Sequence, residues 1–151
     1  MPYSPLLVKP MREELTSIGV QELLTPEDVD AFMNEKNGTA LLVVNSVCGC
    51  AAGMARPGIR QALQNGRRPD RVATVFAGQD LEATARARSY IPDIPPSSPS
   101  IAFFKDGELV AFVPRHRIEG RNAQAVASDL QAIFDEHCAT PSTAASAGSA
   151  S

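Results

Sequence analysis

The sequence predicts an α/β domain whose mixed four-stranded sheet is flanked by helices, and three patterns carry that prediction. Two apolar runs, Thr39–Asn45 and Arg71–Ala77, are continuous rather than alternating, which is typical of parallel strands buried on both faces. A helix-like segment separates them, so the three elements are expected to form a right-handed βαβ unit. Asp106-Gly107 lies between two further apolar runs and predicts a hairpin, which adds an antiparallel edge.

Two helical segments precede this unit. Residues 4–18 carry apolar side chains at helical spacing, with Pro10 inside the pattern, so this helix is expected to break or to begin at the proline. Thr25 and Pro26 are preferred residue types at an N-cap and at the first helical position. Asn37-Gly38 ends this second helix.

Two more helices and a loop accompany the predicted strands. Residues 51–65 are helix-like, with a kink expected at Pro57-Gly58. Residues 80–90 are good helix formers. Residues 91–99 contain four prolines and are therefore predicted to be an irregular loop.

The last helix is predicted over residues 122–137, with Asn122 as its cap and a single apolar stripe. From Thr39 onward the order is therefore β-α-β-α-β-β-α. That is the order of the thioredoxin fold, preceded here by extra helical elements. Residues 1–138 are interpreted as one thioredoxin-like domain, and the Ala/Ser-rich residues 139–151 as a disordered tail.

Composition narrows the function classes. The chain has 151 residues, of which 44% are hydrophobic and 21% charged, and its formal net charge is −3. An acidic balance argues against a nucleic-acid surface. No apolar run approaches the roughly 18–20 residues that span a bilayer, and the N-terminus lacks the pattern of a signal peptide. We therefore expect a cytoplasmic protein in a reducing compartment, where closely spaced cysteines are more often catalytic or metal-binding than structural.

Cys48 and Cys50 come shortly after the buried strand Thr39–Asn45 and precede a helix-like segment. The carboxyl end of a parallel strand is where α/β folds place ligand sites, and the N-terminus of the next helix lowers the pKa of a thiol. The pair is therefore interpreted as a reactive dithiol. Cys48 lies further from the helix body and is expected to attack an incoming disulfide, whereas Cys50 is expected to resolve the mixed disulfide.

A disulfide between Cys48 and Cys50 would close a tight ring. Disulfide Cα–Cα separations cluster at roughly 4.4–6.8 Å, so the backbone must bend to bring positions i and i+2 so close together. Gly49 permits unusual backbone angles at this turn. Because a strained disulfide is easier to reduce, we expect an oxidising or isomerising poise rather than a strongly reducing one.

Two other interpretations of the cysteines remain open. In the first, the two cysteines are incidental small residues in a tight turn, which the reactivity of thiols at such a position disfavours. Alternatively, Cys48 and Cys50 with His137-Cys138 would supply three sulfurs and one nitrogen, a tetrahedral zinc set. Structural zinc ligands usually come as separated pairs, which disfavours this zinc-binding interaction module, so the predicted site holds no metal.

Several residues outside the motif are candidates for binding substrate. Pro99 stands directly before a predicted strand, where thioredoxin-like sites place a cis-proline, so that the backbone of Ser98 can pair with a bound peptide or thiol. Arg115 and His116 follow the hairpin, and arginine suits the recognition of a carboxylate. Two further candidates flank the motif: Asn45 and Arg56.

The sequence resembles the bacilliredoxin family over nearly the whole chain to Cys138. The resembling segments are Pro10–Leu15, Val43–Gly53 with its motif VNSVCGCAAG, Ala55–Pro57, Thr74–Asp80, Pro96–Ser100, Pro114–His116 and Ile118–Gly120.

The resemblance implies a thioredoxin-like fold and a thiol–disulfide oxidoreductase. It implies that the enzyme removes bacillithiol from mixed disulfides on cytosolic client proteins, that Cys48 takes the bacillithiol, and that Cys50 is the candidate resolving residue. The enzyme would then need no resident cofactor, because bacillithiol or another low-molecular-weight thiol is its co-substrate. The family is also associated with weak disulfide-isomerase activity, so a protein disulfide isomerase is the main alternative.

Overall fold

The structure, a computed structural model, describes residues 3–64 and 66–138. The expectation for the tail at 139–151 lies outside these residues. The helices are α1 (Pro5–Thr16), α2 (Pro26–Asn34), α3 (Arg56–Leu63), α4 (Leu81–Ser89) and α5 (Ala123–His137), and the strands are β1 (Gln21–Glu22), β2 (Thr39–Asn45), β3 (Arg71–Phe76), β4 (Ser100–Lys105) and β5 (Glu108–Val113). The order from β2 onward is the predicted β-α-β-α-β-β-α.

The strands form one mixed sheet in the order β1-β3-β2-β4-β5. β2 pairs in parallel with β3 on one side and antiparallel with β4 on the other, and β5 completes the hairpin. The mixed α/β sheet is confirmed, but the predicted number of four strands was wrong. The fifth strand, β1, is only two residues long and pairs in parallel with β3. A two-residue strand is too short to show any periodicity in the sequence.

The central strand β2 explains why its sequence is apolar throughout. Its seven residues are all buried. Leu41 and Val43 pack into one core cluster with residues of α3 and α5, whereas Leu42 and Val44 pack into a second cluster with residues of α2 and α4. Successive side chains of a strand point to opposite faces, so a strand covered by helices on both faces needs an apolar residue at every position.

The predicted N-caps of two helices are confirmed. The hydroxyl of Thr25 accepts a hydrogen bond from the N–H of Asp28 at 3.1 Å, and Asn122 caps α5 in the same way through the N–H of Ala125. Pro10 does not interrupt α1, which runs through it. None of the helices in residues 3–64 and 66–138 combines the length and the apolar character that a bilayer-spanning segment requires.

The kink expected at Pro57-Gly58 stays a prediction, although the helical segment is irregular just before it. The irregularity lies earlier, in a π-helical turn over Ala51–Ala55, where the N–H of Arg56 bonds to the carbonyl of Ala51. Pro57 follows this π-helical turn at the second residue of α3, and a proline has no N–H to donate to the turn before it. Gly58 has a packing role instead, because a Cβ there would lie 2.7 Å from the side chain of Val126 on α5.

Candidate active site

The two motif cysteines lie where β2 ends and the next helix begins. The carbonyl of Cys48 accepts hydrogen bonds from the N–H groups of Ala51 and Ala52, at 3.0 and 3.2 Å, which makes Cys48 the residue that opens the helix. The N–H of Cys48 in turn donates to the hydroxyl of Ser46 at 2.9 Å. These bonds fix the backbone around Cys48 before any substrate arrives.

Both thiols are free, and their sulfur atoms are 2.8 Å apart. Cys48 is partly exposed, whereas Cys50 is only 6% exposed and belongs to the core beneath the helix. A substrate from solvent therefore reaches the sulfur of Cys48, while the sulfur of Cys50 can reach that of its neighbour.

The pKa values of the two thiols shift in opposite directions. The pKa of Cys48 is lowered, chiefly by the hydrogen bond from the Cys50 thiol, with further help from the backbone N–H groups of Cys50 and Ala51 and from the positive charge of Arg115. The pKa of Cys50 is raised by burial and by its role as donor to Cys48. The site thus favours a thiolate on the exposed sulfur and a thiol on the buried one.

In the free dithiol, Gly49 does not use the unusual backbone angles that the sequence analysis invoked for the Cys48–Cys50 disulfide ring. Its φ lies outside the left-handed region in which Gly38, Gly78 and other glycines of the chain are found. A Cβ at Gly49 would meet nothing within 4 Å. The geometry of the free dithiol therefore places no demand for glycine at this position.

The peptide bond between Ser98 and Pro99 is cis, the isomer that the sequence analysis expected. The register of β4 pairs Ser100 with Val44, which brings this loop to the same end of the sheet as the motif. Pro99 is buried and Ser98 is partly exposed. Their role in binding substrate stays a prediction.

Arg115 connects the loop at Ser98 with the thiols. Its guanidinium donates to the carbonyl of Ser98 at 3.2 Å, its backbone N–H donates to the hydroxyl of Ser97 at 3.4 Å, and it forms an ion pair with Glu119 at 3.5 Å. Its charge acts on both cysteines. His116 is exposed beside it, and no hydrogen bond or ion pair of its side chain is found in the described part of the chain.

Asn45 and Arg56, which the sequence analysis expected to contact substrate, lie beneath the motif. Each is only 1% exposed. One guanidinium nitrogen of Arg56 donates to the side-chain oxygen of Asn45 and to the carbonyl of Ser46, both at 2.8 Å. Their polar atoms are thus engaged by the protein itself, and both side chains are buried away from the surface that a substrate would reach.

Cys138 and His137 lie at the other end of the sheet. Cys138 is buried and hydrogen-bonded to Thr39, the first residue of β2, whereas Cys48 follows its last residue. Across residues 3–64 and 66–138, no three His, Cys, Asp or Glu side chains are grouped so that they could hold a metal ion. The zinc set weighed in the sequence analysis does not assemble.

Sequence reasoning missed three residues of the site. Ser46 holds the N–H of Cys48, and a serine two residues before the motif is a recognisable signal for such a local bond. Glu119 pairs with Arg115 four residues away. Glu14 forms an ion pair with Arg56 from a distance of 42 residues along the chain, and no local pattern indicates it.

The architecture is that of thioredoxins. A thioredoxin from the fluke Fasciola hepatica superposes with a TM-score of 0.53 at 20% identity, over 78% of this chain and 99% of that chain. A mutant thioredoxin from Halobacterium salinarum NRC-1 superposes with a TM-score of 0.54 at 17% identity, over 79% and 90% of the two chains. The chain thus has the thioredoxin fold, with a close pair of free thiols after the end of β2.

The particular family follows from sequence similarity. Residues 3–138 match a family described as disulphide isomerase. A bacilliredoxin of Salinibacter ruber is 56% identical over 140 residues, covering 91% of this chain and 82% of that relative. A bacilliredoxin of Cytophaga hutchinsonii is 55% identical over 134 residues, covering 89% and 98%. The chain belongs to the bacilliredoxin family and is a thiol–disulfide oxidoreductase, which confirms the resemblance stated above.

Proposed function

We propose that the protein reduces mixed disulfides between client proteins and a low-molecular-weight thiol, with bacillithiol as the thiol its relatives' names suggest. The observation that carries this proposal is the asymmetry of the dithiol. One sulfur is accessible and favoured as a thiolate, and the other is buried 2.8 Å away and favoured as a thiol. Such a pair is suited to attack followed by intramolecular resolution.

The proposed reaction has two exchange steps. The Cys48 thiolate attacks the small-thiol sulfur of the mixed disulfide, a Cys48–small-thiol disulfide forms, and the client sulfur leaves as a thiolate that takes up a proton. Cys50 then loses its proton and attacks the sulfur of Cys48. The small thiol leaves, and a Cys48–Cys50 disulfide remains. The two electrons come from the dithiol, so a thiol reductant must restore it after each cycle.

The substrate side of the site is formed by residues around the thiols. Arg115 is 40% exposed, and its weak ion pair with the exposed Glu119 can be replaced by a carboxylate of the small thiol. Ser98 and Pro99 offer a backbone edge at the same end of the sheet, and His116 is the outer neighbour of Arg115. In this arrangement the small thiol lies between the loop and the first turn of the helix.

The decisive experiment is intact mass spectrometry of the Cys50→Ala protein after exposure to a model protein carrying bacillithiol. The expected result is an added mass of one bacillithiol on Cys48 and release of the reduced client. Cys48→Ala is expected to abolish release, and Cys138→Ala to leave it unchanged. An active Cys48→Ala protein, or a Cys50→Ala protein without an adduct, would contradict the assignment. An adduct from a glutathionylated client instead of a bacillithiolated one would identify a different small thiol.

Disulfide isomerisation is the second candidate, supported by the description of the matching family. An isomerase attacks a scrambled protein disulfide with one thiol and does not need to complete the reduction. We expect slower recovery of a scrambled protein than release of the small thiol at equal enzyme concentration. The opposite order would make isomerisation the main activity.

A further inference from the structure

We infer that Arg56 is a positioning residue for the Ser46–Cys48 segment, and that Glu14 of the N-terminal helix acts with it as its ion-pair partner. The two exchange steps proposed above assign no part to either residue. Arg56 is the bulkiest of the fully buried side chains, at 1% exposure, and it lies directly beneath the reactive loop. A buried guanidinium is costly unless its charge is paired and its donors are satisfied, so its partners indicate what it does.

The partners of Arg56 all belong to the entry to the motif or to α1. One nitrogen bridges the side chain of Asn45 and the carbonyl of Ser46, and Nε donates to the carboxylate of Glu14 at 2.9 Å. The bridged Asn45 oxygen also accepts the N–H of Ser46 at 2.8 Å. The guanidinium therefore holds Asn45, the last residue of β2, and Ser46, the residue that follows it.

Through Ser46, the contacts of Arg56 also affect the attacking cysteine. The hydroxyl of Ser46 accepts the N–H of Cys48, so fixing Ser46 fixes the backbone of Cys48 and the direction of its sulfur. Since no substrate atom is involved, the effect is on the orientation and the charge of the thiolate rather than on recognition.

The N-terminal helix α1 contacts Arg56 and its partner Asn45 through two residues. Besides the carboxylate of Glu14, the carbonyl of Met11 accepts a hydrogen bond from the side chain of Asn45 at 3.4 Å. The extra helix α1 thereby supplies the countercharge for a cation buried under the active-site loop. We infer that α1 tunes the thiol, in addition to packing against the sheet.

The test compares three variants by the pH dependence of Cys48 alkylation with iodoacetamide, together with their thermal stability. Arg56→Met removes the positive charge and the donors, and Glu14→Gln removes the negative charge but keeps an accepting oxygen. Both weaken the ion pair and so lower stability. Their effects on the thiolate have opposite signs, because a cation favours the charged sulfur and an anion disfavours it.

The expected results separate positioning from mere structural support. Arg56→Met raises the apparent pKa of Cys48 and lowers the turnover number by about 10- to 100-fold, since the orientation of the nucleophile is lost. Glu14→Gln lowers the apparent pKa by about 0.5. The matched control is Arg60→Met, because Arg60 lies on α3 like Arg56. Within the described residues, its side chain donates only to the backbone carbonyl of Glu14. Its pH profile is therefore expected to equal that of the wild type.

Shifts of the same sign in Arg56→Met and Glu14→Gln would overturn the inference, as would unchanged pH profiles in both. If Arg56→Met does not fold, the Glu14→Gln arm decides alone, since a profile identical to the wild type refutes the coupling. The inference rests on Cys48 as the attacking thiol of the proposed function. Alkylation reads the thiolate without any disulfide substrate, so a wrong choice of small thiol would leave this test intact.

Discussion

The two ends of β2 carry cysteines of opposite character. Cys48 follows the last residue of the strand and opens a helix, whereas Cys138 ends α5 and bonds to Thr39, the first residue of the strand. All three cysteines contact the same core cluster. Apolar surroundings alone therefore do not decide reactivity. What differs is the exposure of the sulfur, the end of the helix at which the thiol lies and the donors that face it.

The difference has a simple electrostatic origin. At the start of a helix, unpaired N–H groups and the positive end of the dipole favour a thiolate, and Cys48 has in addition a thiol donor and Arg115. Cys138 lies at the end of a helix, where no free N–H groups face it, and its pKa is raised chiefly by burial and further by the negative charge of Asp70. One cysteine is prepared for exchange and the other is protected from it.

The largest expected effect is a difference in alkylation rate between these two cysteines. At pH 7, Cys48 should react at least about 100-fold faster than Cys138, because its thiolate persists to lower pH and its sulfur is accessible. The rate at Cys48 falls as pH drops through its lowered pKa, and the rate at Cys138 rises only above the ordinary thiol pKa of about 8.5. Pulsed alkylation with peptide mass spectrometry between pH 5 and 9 measures both, and comparable rates at pH 7 would refute the contrast.

A smaller effect is expected from the charge that faces the dithiol. Arg115→Met should raise the apparent pKa of Cys48 and lower its alkylation rate at pH 7 by about two- to fivefold, since an exposed charge is partly screened. Arg117→Met is the matched control, because Arg117 is similarly exposed but pairs with Asp129. The difference between the variants should shrink in 1 M salt. Equal rates in both variants at low salt would show that Arg115 does not act on the thiolate.

The sequence predicted the parts of this contrast that depend on local patterns. β2 matched its predicted bounds, as did the hairpin turn at Asp106-Gly107 and the caps Thr25 and Asn122, because each depends on neighbouring residues. The fold and the position of the dithiol followed from the same patterns, whereas the family followed from the resemblance of the motif segments.

The features that the sequence did not predict depend mostly on contacts between distant segments. The ion pair between Glu14 and Arg56 spans 42 residues, and the sequence around these charged residues does not predict the contact. β1 is too short for a periodic signal, and the need for Gly58 arises only when α3 meets α5. For the same reason, the sequence analysis took Arg56 as available to a substrate, although the side chain is buried.

The smallest expected effect concerns the glycine between the thiols. Gly49→Ala should leave the free energy of unfolding of the dithiol form unchanged or raise it by up to about 1 kcal/mol, because a Cβ there meets nothing and alanine favours a helix. Gly58→Ala, its control, should lower it by about 1–3 kcal/mol through overlap with Val126. Urea denaturation under reducing conditions measures both. A destabilised Gly49→Ala protein would show that the dithiol form itself requires the glycine. If stability is retained but turnover is lost, glycine is needed only where the Cys48–Cys50 ring closes, so the sequence-based argument for Gly49 would apply to the oxidised form alone.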